Sequence, residues 1–287
     1  MRKTLVLLLA LLLLVIPLSV FVSCGSKAEI TEEELKEKAA AASADVKSCW
    51  FSLSQTLHLT GEGKEKKIDT TAQYDITGAV DLENQKMRLR MLMKLPEEAR
   101  PRGMPETFEM EQYCLGDAIY AHANLPGMPS QWLKSKAPEG YWEMQKQAQS
   151  EVELLQSSEF KILGREKVGG TECWLVELKP DMQKLAELAS TSPLAQLDAE
   201  HLRKTLKNVE VRQWYAVDTF LPLKGQFKLV MGGNSRDFGF PGEELNLTMT
   251  MDLTYNYSKF NEPVELELPP EAEKAVEMNI PQLEQKP

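Results

Sequence analysis

The sequence is short of the residues that do chemistry. Its 287 residues hold three histidines and four cysteines. The histidines, His58, His122 and His201, stand far apart, and none belongs to an HxH, HExxH or CxxC pattern that grips a metal ion. No G-x-S-x-G elbow presents a serine nucleophile, and no Walker-type loop cradles a phosphate. The glycines of "GREKVGG" fall at a hairpin tip, without the helix N-terminus an anion site uses. The adjacent acids Glu97-Glu98 and Glu243-Glu244 lie in Pro/Gly-rich loops and read as solvated charge, not as a glycosidase pair. No enzyme, no metal and no cofactor is expected.

Positive charge is scarce as well. Lys and Arg number 33 against 43 Asp and Glu, a formal net charge of −10. Such a surface repels nucleic acid and anionic headgroups, so neither is expected as an electrostatic partner. Long apolar runs are missing with one exception. In "MRKTLVLLLALLLLVIPLSV" the cations Arg2 and Lys3 precede an apolar run from Leu5 to Val22, the layout of a secretory signal. The run approaches the ~20 residues that span a bilayer, so an uncleaved anchor helix is an alternative, as is ordinary secretion. All three readings place the rest of the chain outside the cytoplasm, because Arg2 and Lys3 stay inside.

The residues after the run favour a lipid. Val22-Ser23-Cys24, then Gly25-Ser26, resembles the lipobox of bacterial lipoproteins, although Phe21 stands where leucine is usual. The resemblance implies that residues 1–23 are a signal peptide and that Cys24 is diacylated with chains such as palmitate, becoming the new N-terminus. The protein would then be anchored to the cell membrane, or to the outer membrane in a host with two. Residues 24–30 form a short tether. Cys49, Cys114 and Cys173 remain, each in an apolar context that reads as a small buried hydrophobe. If two of them pair, Cys114–Cys173 is the expected bridge, since it joins two strand segments.

The body of the chain alternates. "TEEELKEKAAAASADVKS" first reads as a helix, with Thr31 and Glu34 as a capping box and a thin apolar face of Leu35, Ala39, Ala42 and Val46. From Cys49 the period becomes two: Phe51, Leu53, Leu57 and Leu59, then Tyr74, Ile76, Val80 and Leu82, then Met87, Leu89, Met91 and Met93. "FEMEQYCLGDAIYAH" gives two strands about a Gly-Asp turn, and "FKILGREKVGGTECWLVEL" a hairpin with Gly169-Gly170 at its tip. "VEVRQWYAVD", "LPLKGQFKLVM" and "ELNLTMTMDLTYNYSKF" bring the count to about ten strands, joined mostly as an antiparallel meander. Helical spacing returns over "GYWEMQKQAQSEVELLQ" and over residues 181–208, where Leu185, Leu188, Leu202 and Leu206 form a stripe broken at Ser192-Pro193. The tail after 270 is acidic and expected to be partly ordered at best.

A sheet of this size tends to curl. The expected class is α+β: a strongly curved antiparallel half-barrel over residues 31–270, with amphipathic helices covering its concave face, and an acidic tail over 271–287.

Several segments resemble a known group. "GDAIYAHA", "QWLK", "VRQWYAVDTFLPLKGQF" and "YSKFNEPVELELPPEA" are similar to the strand-loop-Trp, Trp-strand and closing-strand steps of LppX/LprG-type lipoproteins and of the wider LolA- and RseB-like domains. The resemblance implies a half-open barrel whose helices lid an apolar cavity, and a binding protein instead of a catalyst. The ligand would be a lipid or acyl chain. The alternative is a sensor or scaffold of RseB type that recognises an envelope protein on the same concave surface. Methionine is deformable and suits chains of varied shape. The candidate cavity residues are Leu57, Leu89, Met91, Met93, Met110, Met249 and Met251 on strands, and Leu185, Leu188, Leu202 and Leu206 on the lid. Met87 to Met93 share one strand face, as do Leu247 to Leu253, but periodicity leaves open which face looks inward.

Overall fold

Runs of alternating apolar and polar residues pair into a sheet when one face can be buried, and here they all enter the same one. The computed structural model describes residues 30–64, 67–97, 100, 103, 105–124, 130–148, 158–180, 204–238 and 244–278. The chain divides into two units, Met1–Thr31 and Glu32–Pro287, and the fold lies in the second. Cys24, Leu185, Leu188, Leu202 and His201 lie outside the described residues.

The strands are β1 (Ser48–Glu62), β2 (Lys67–Asp81), β3 (Lys86–Lys94), β4 (Thr107–Leu115), β5 (Ala118–Ala123), β6 (Trp132–Lys136), β7 (Glu159–Val168), β8 (Thr171–Lys179), β9 (Leu206–Ala216), β10 (Pro222–Asn234), β11 (Asn246–Ser258) and β12 (Val276–Glu277). They form one curved, open sheet in the order β12-β6-β5-β4-β3-β2-β1-β11-β10-β9-β8-β7. Two meanders, β1–β6 and β7–β11, are joined where β1 pairs with β11 from Trp50 opposite Ser258 to Glu62 opposite Asn246. Among the described residues there are twelve strands where about ten were expected. The additions are the short β6 and the two-residue β12, which pairs parallel to it.

Among the described residues two α-helices accompany the sheet, α1 (Glu32–Ala44) and α2 (Tyr141–Ala148). Three glutamates open α1, where the helix dipole favours them. Its Leu35 and Ala39 are fully buried. The Ile162 N–H on edge strand β7 donates to the Glu32 carboxylate (3.1 Å), and Lys36 Nζ donates to the Ser158 carbonyl (3.1 Å). Among the described residues, no helix is long and apolar enough to cross a membrane.

Two expectations are corrected and one is made more specific. Leu206 opens strand β9 and does not close a helix. It faces Met231 on β10 and packs against the buried cluster of Met231, Phe238, Leu245 and Leu247, so tertiary pairing overrides its helical spacing. The described part of the tail, residues 270–278, is ordered. A 3-10 turn (Pro270–Lys274) sets Ala272, fully buried, against Tyr113 and Trp132, and β12 follows. Cys114 and Cys173 do not pair: each is a buried thiol, and six strands of the sheet separate β4 from β8.

Directly opposed residues of an antiparallel pair point to the same face. Leu89 faces Gly78, which faces Phe51, which faces Tyr257. Met91 faces Ile76 and Met110, Met93 faces Phe108, and Leu57 faces Met251. The two strand faces that sequence alone left unrelated are therefore one apolar face. The opposite face carries Arg88–Glu111 (2.6 Å), Arg90–Glu109 (2.5 Å) and the hydroxyls of Ser52, Ser54, Thr250 and Thr254. Such exposed cross-strand ion pairs contribute little, about 0–1 kcal/mol each.

Candidate functional site

At one end of the apolar face, residues of the sheet and of α1 and α2 line a half-open cavity of about 370 Å³. Most of its sheet wall comes from three neighbouring strands, Cys49, Phe51 and Leu53 of β1, Val80 at the end of β2, and Met87 and Leu89 of β3, with Tyr257 of β11 and Pro222 at the start of β10 beside them. Leu82 joins them from the β2–β3 turn. Ser43 comes from the last turn of α1, Val46 from the α1–β1 junction, and Tyr141 and Gln145 from α2. Phe260 completes the wall.

Local geometry explains why these side chains converge. Phe51 and Leu89 lie across Gly78, where a β-carbon would stand 2.6 Å from Phe51 Cζ and 3.0 Å from Leu89 Cδ2. Phe260 sits in a turn between Lys259 (φ 52°) and Asn261 (φ 58°), two left-handed residues that turn its ring back onto the sheet. Asn261 holds that turn to the α1–β1 junction. Its Oδ1 accepts the Lys47 N–H (2.7 Å), and its own N–H donates to the Ser48 carbonyl (2.9 Å).

A buried cluster anchors α2. Trp142 packs among Cys49, Val80, Leu82, Met87 and Cys114, and its Nε1–H donates to the Gly116 carbonyl (2.7 Å). The Tyr141 hydroxyl and the Cys114 thiol are hydrogen-bonded at 3.2 Å, and Gln112 Nε2 donates to the same sulfur (3.1 Å). Burial pushes the Tyr141 hydroxyl far above the usual phenol range, with the Cys114 contact adding to it. Burial also pushes the Cys114 thiol up. Both groups stay protonated at physiological pH, and a buried thiol without thiolate character is inert. The wall is equipped for apolar contact.

Of the residues expected to line a cavity, Leu89 does so. Leu57, Met91, Met93, Met110, Met249 and Met251 share its face of the sheet and are half-buried further along it. Leu206 lies in a separate cluster with Met249. The aromatic lining of Phe51, Tyr141, Tyr257 and Phe260 was absent from the expected set. Its signal was present in the alternation of β1 and in the closing-strand motif, but methionine drew the weight. His58 bonds Asp69 Oδ1 (2.9 Å) on the opposite face, and His122 bonds the Ser130 hydroxyl (2.8 Å) and stacks on Trp132. Among the described residues no three metal-ligating side chains gather.

A model described as a family of unknown function (DUF6612) matches residues 31–277. Among solved structures the chain is similar to the lipoprotein LppX of Mycobacterium tuberculosis, at 14% identity over 83% of this chain and 100% of that one, with a TM-score of 0.41. It is similar to LprF of Mycobacterium bovis, at 11% identity over 83% and 96% of the two chains and a TM-score of 0.46. It is also similar to a chain of the Pseudomonas aeruginosa MucA/MucB complex, at 13% identity over 82% and 59%, with a TM-score of 0.31. No curated protein matches the chain.

Proposed function

The chain belongs to the family of unknown function DUF6612, and since no activity comes with that family, we propose from the cavity itself that the protein binds a lipid or other hydrophobic ligand, as a carrier or chaperone. One observation carries this reading: an apolar wall built jointly by sheet and helices around about 370 Å³, within the range of small-molecule pockets. At roughly 30 Å³ per atom, that volume holds about a dozen carbon-sized atoms. A chain of that length loses about 10 kcal/mol on leaving bilayer for water, and an apolar pocket removes that loss. The half-buried Leu57, Met91, Met93, Met110, Met249 and Met251 extend the same surface beyond the cavity.

The protein works outside the cytoplasm, attached to a membrane through acylated Cys24. The lipid, not a basic patch, supplies the attachment.

A second reading, recognition of an envelope protein on this face, draws on the spread of those half-buried side chains over several strands. Native mass spectrometry of the protein extracted from its own membranes separates the two. Carriage predicts a bound lipid mass and a diacyl modification that Cys24→Ser abolishes. An extract free of lipid but holding a stoichiometric protein partner supports the second reading and ends the first.

A further inference from the structure

The aromatic side chains of the cavity are held in place. Phe51 fills the space over Gly78 on the neighbouring strand. Opposite Phe51 on β11 stands Tyr257, whose ring centroid lies 6.2 Å from that of Phe260 at a tilt of 49°. Phe260 is set by the left-handed residues on either side of it. On the helix side, the Tyr141 hydroxyl is tied to the Cys114 thiol (3.2 Å). Rings thus reach the cavity from both the sheet and α2, and such side chains have few torsions to freeze.

The surface beside the cavity is of the opposite kind. Leu53 and Leu89 stand on the cavity wall, and Ile76 and Met91 adjoin them on the same face. Met110 follows across β4, and Met93 and Met251 lie further along. These side chains are half-buried, and methionine bends to suit the shape it meets. A stiff hollow therefore adjoins a pliable strip.

The two linings fit different parts of one molecule. Offset and edge-on contacts with aromatic rings favour a flat conjugated ligand, by roughly twofold to tenfold each in binding. Gln145 supplies a polar contact. It lines the cavity one helical turn beyond Tyr141, and so on the same side of α2. Its amide can donate to a carbonyl oxygen.

We propose that the cavity takes a flat ring bearing carbonyl oxygens, a quinone-like head, whose hydrocarbon tail runs out along Met91 and Met93. The ring lies among Phe51, Tyr141, Tyr257 and Phe260, and Gln145 Nε2 donates to a ring oxygen. A single substituted ring matches the roughly dozen atoms the cavity holds. This rests on the reading of the cavity as a site for hydrophobic ligands, and it names their class.

The test uses the full-length protein held on beads in a mild detergent, with empty beads as the blank. Tritiated duroquinone, hexamethylbenzene and dodecane are the probes, each of about a dozen non-hydrogen atoms. Binding is scored as enrichment over the detergent micelles, which cancels differences in hydrophobicity. Both rings are expected to be enriched at least about tenfold more than dodecane. Gln145→Leu is expected to lower duroquinone roughly threefold to tenfold and to leave hexamethylbenzene unchanged. Met91→Gln is expected to lower a decyl-tailed quinone about threefold and to leave duroquinone unchanged. Three results overturn the proposal: dodecane enriched as strongly as the rings, duroquinone indifferent to Gln145→Leu, or the tailed quinone indifferent to Met91→Gln. In each case enrichment of dodecane keeps the broader reading intact. Failure of every probe to bind removes both.

Discussion

The ring of Phe51 lies across Gly78, its partner on the neighbouring strand, in space that any larger residue would claim. Tyr255 of β11 lies over Gly225 of β10 in the same way, and its hydroxyl accepts a hydrogen bond from Gln213 Nε2 (2.5 Å). In each pair a glycine lets an aromatic side chain lie flat across the next strand, an arrangement that bends a sheet and seals it at once.

Gly78→Val should therefore displace Phe51 and Leu89 into the cavity and force β2 away from the Arg88 carbonyl of β3, which would stand 2.5 Å from the new β-carbon. The expected cost is at least about 3 kcal/mol in urea unfolding, with loss of hydrophobic-ligand binding. Gly232→Ala is the control, since a β-carbon there meets nothing nearer than 3.5 Å. It should change stability by less than about 1 kcal/mol.

Trp142→Ala should free α2. The lost packing and the lost bond to Gly116 are expected to cost about 3–5 kcal/mol. Cys49 and Cys114, both buried beneath that helix, should then react faster with N-ethylmaleimide in native buffer, read by peptide mass spectrometry. Unchanged alkylation with normal stability would show that α2 does not guard them.

Tyr113 makes stability fall at alkaline pH. Its hydroxyl donates to Glu111 Oε1 (2.9 Å), and burial first, then that carboxylate, push its pKa up to about 12. The unfolded chain releases this proton near the ordinary value of about 10, so between these two values the folded state holds more protons than the unfolded. Stability present below about 10 is thus lost as pH rises through about 12. Urea midpoints at both ends of that window should differ more for the wild type than for Tyr113→Phe.

Asn261 combines a left-handed backbone with two side-chain hydrogen bonds, from the Lys47 N–H (2.7 Å) and to the Asp45 carbonyl (3.4 Å). Asn261→Ala should cost about 2–3 kcal/mol, and Asn261→Gly about half as much, because glycine relieves the backbone but not the lost bonds. Equal losses in the two variants would assign the whole effect to the hydrogen bonds.

Much of the sheet was legible in the sequence. The turns at Gly116-Asp117 and Gly169-Gly170 and the alternation of the long strands announce themselves locally, through backbone freedom and a period of two. Strands β6 and β12 did not, since five and two residues are too few to show a period. Leu206 misleads because a leucine spaced for a helix is equally at home on a strand once Met231 stands opposite it.

The residues themselves determined that this chain would alternate, where it would turn, and that its apolar side chains would need covering. Only the tertiary structure decided which of them meet. Phe51 and Tyr257 face each other because β1 pairs with β11, from the far end of the chain. Such a register arises from competition among strands for partners, whereas periodicity reports only on neighbours. The cavity exists where that distant pairing, a glycine and two helix ends coincide, and no one stretch of sequence contains all of them.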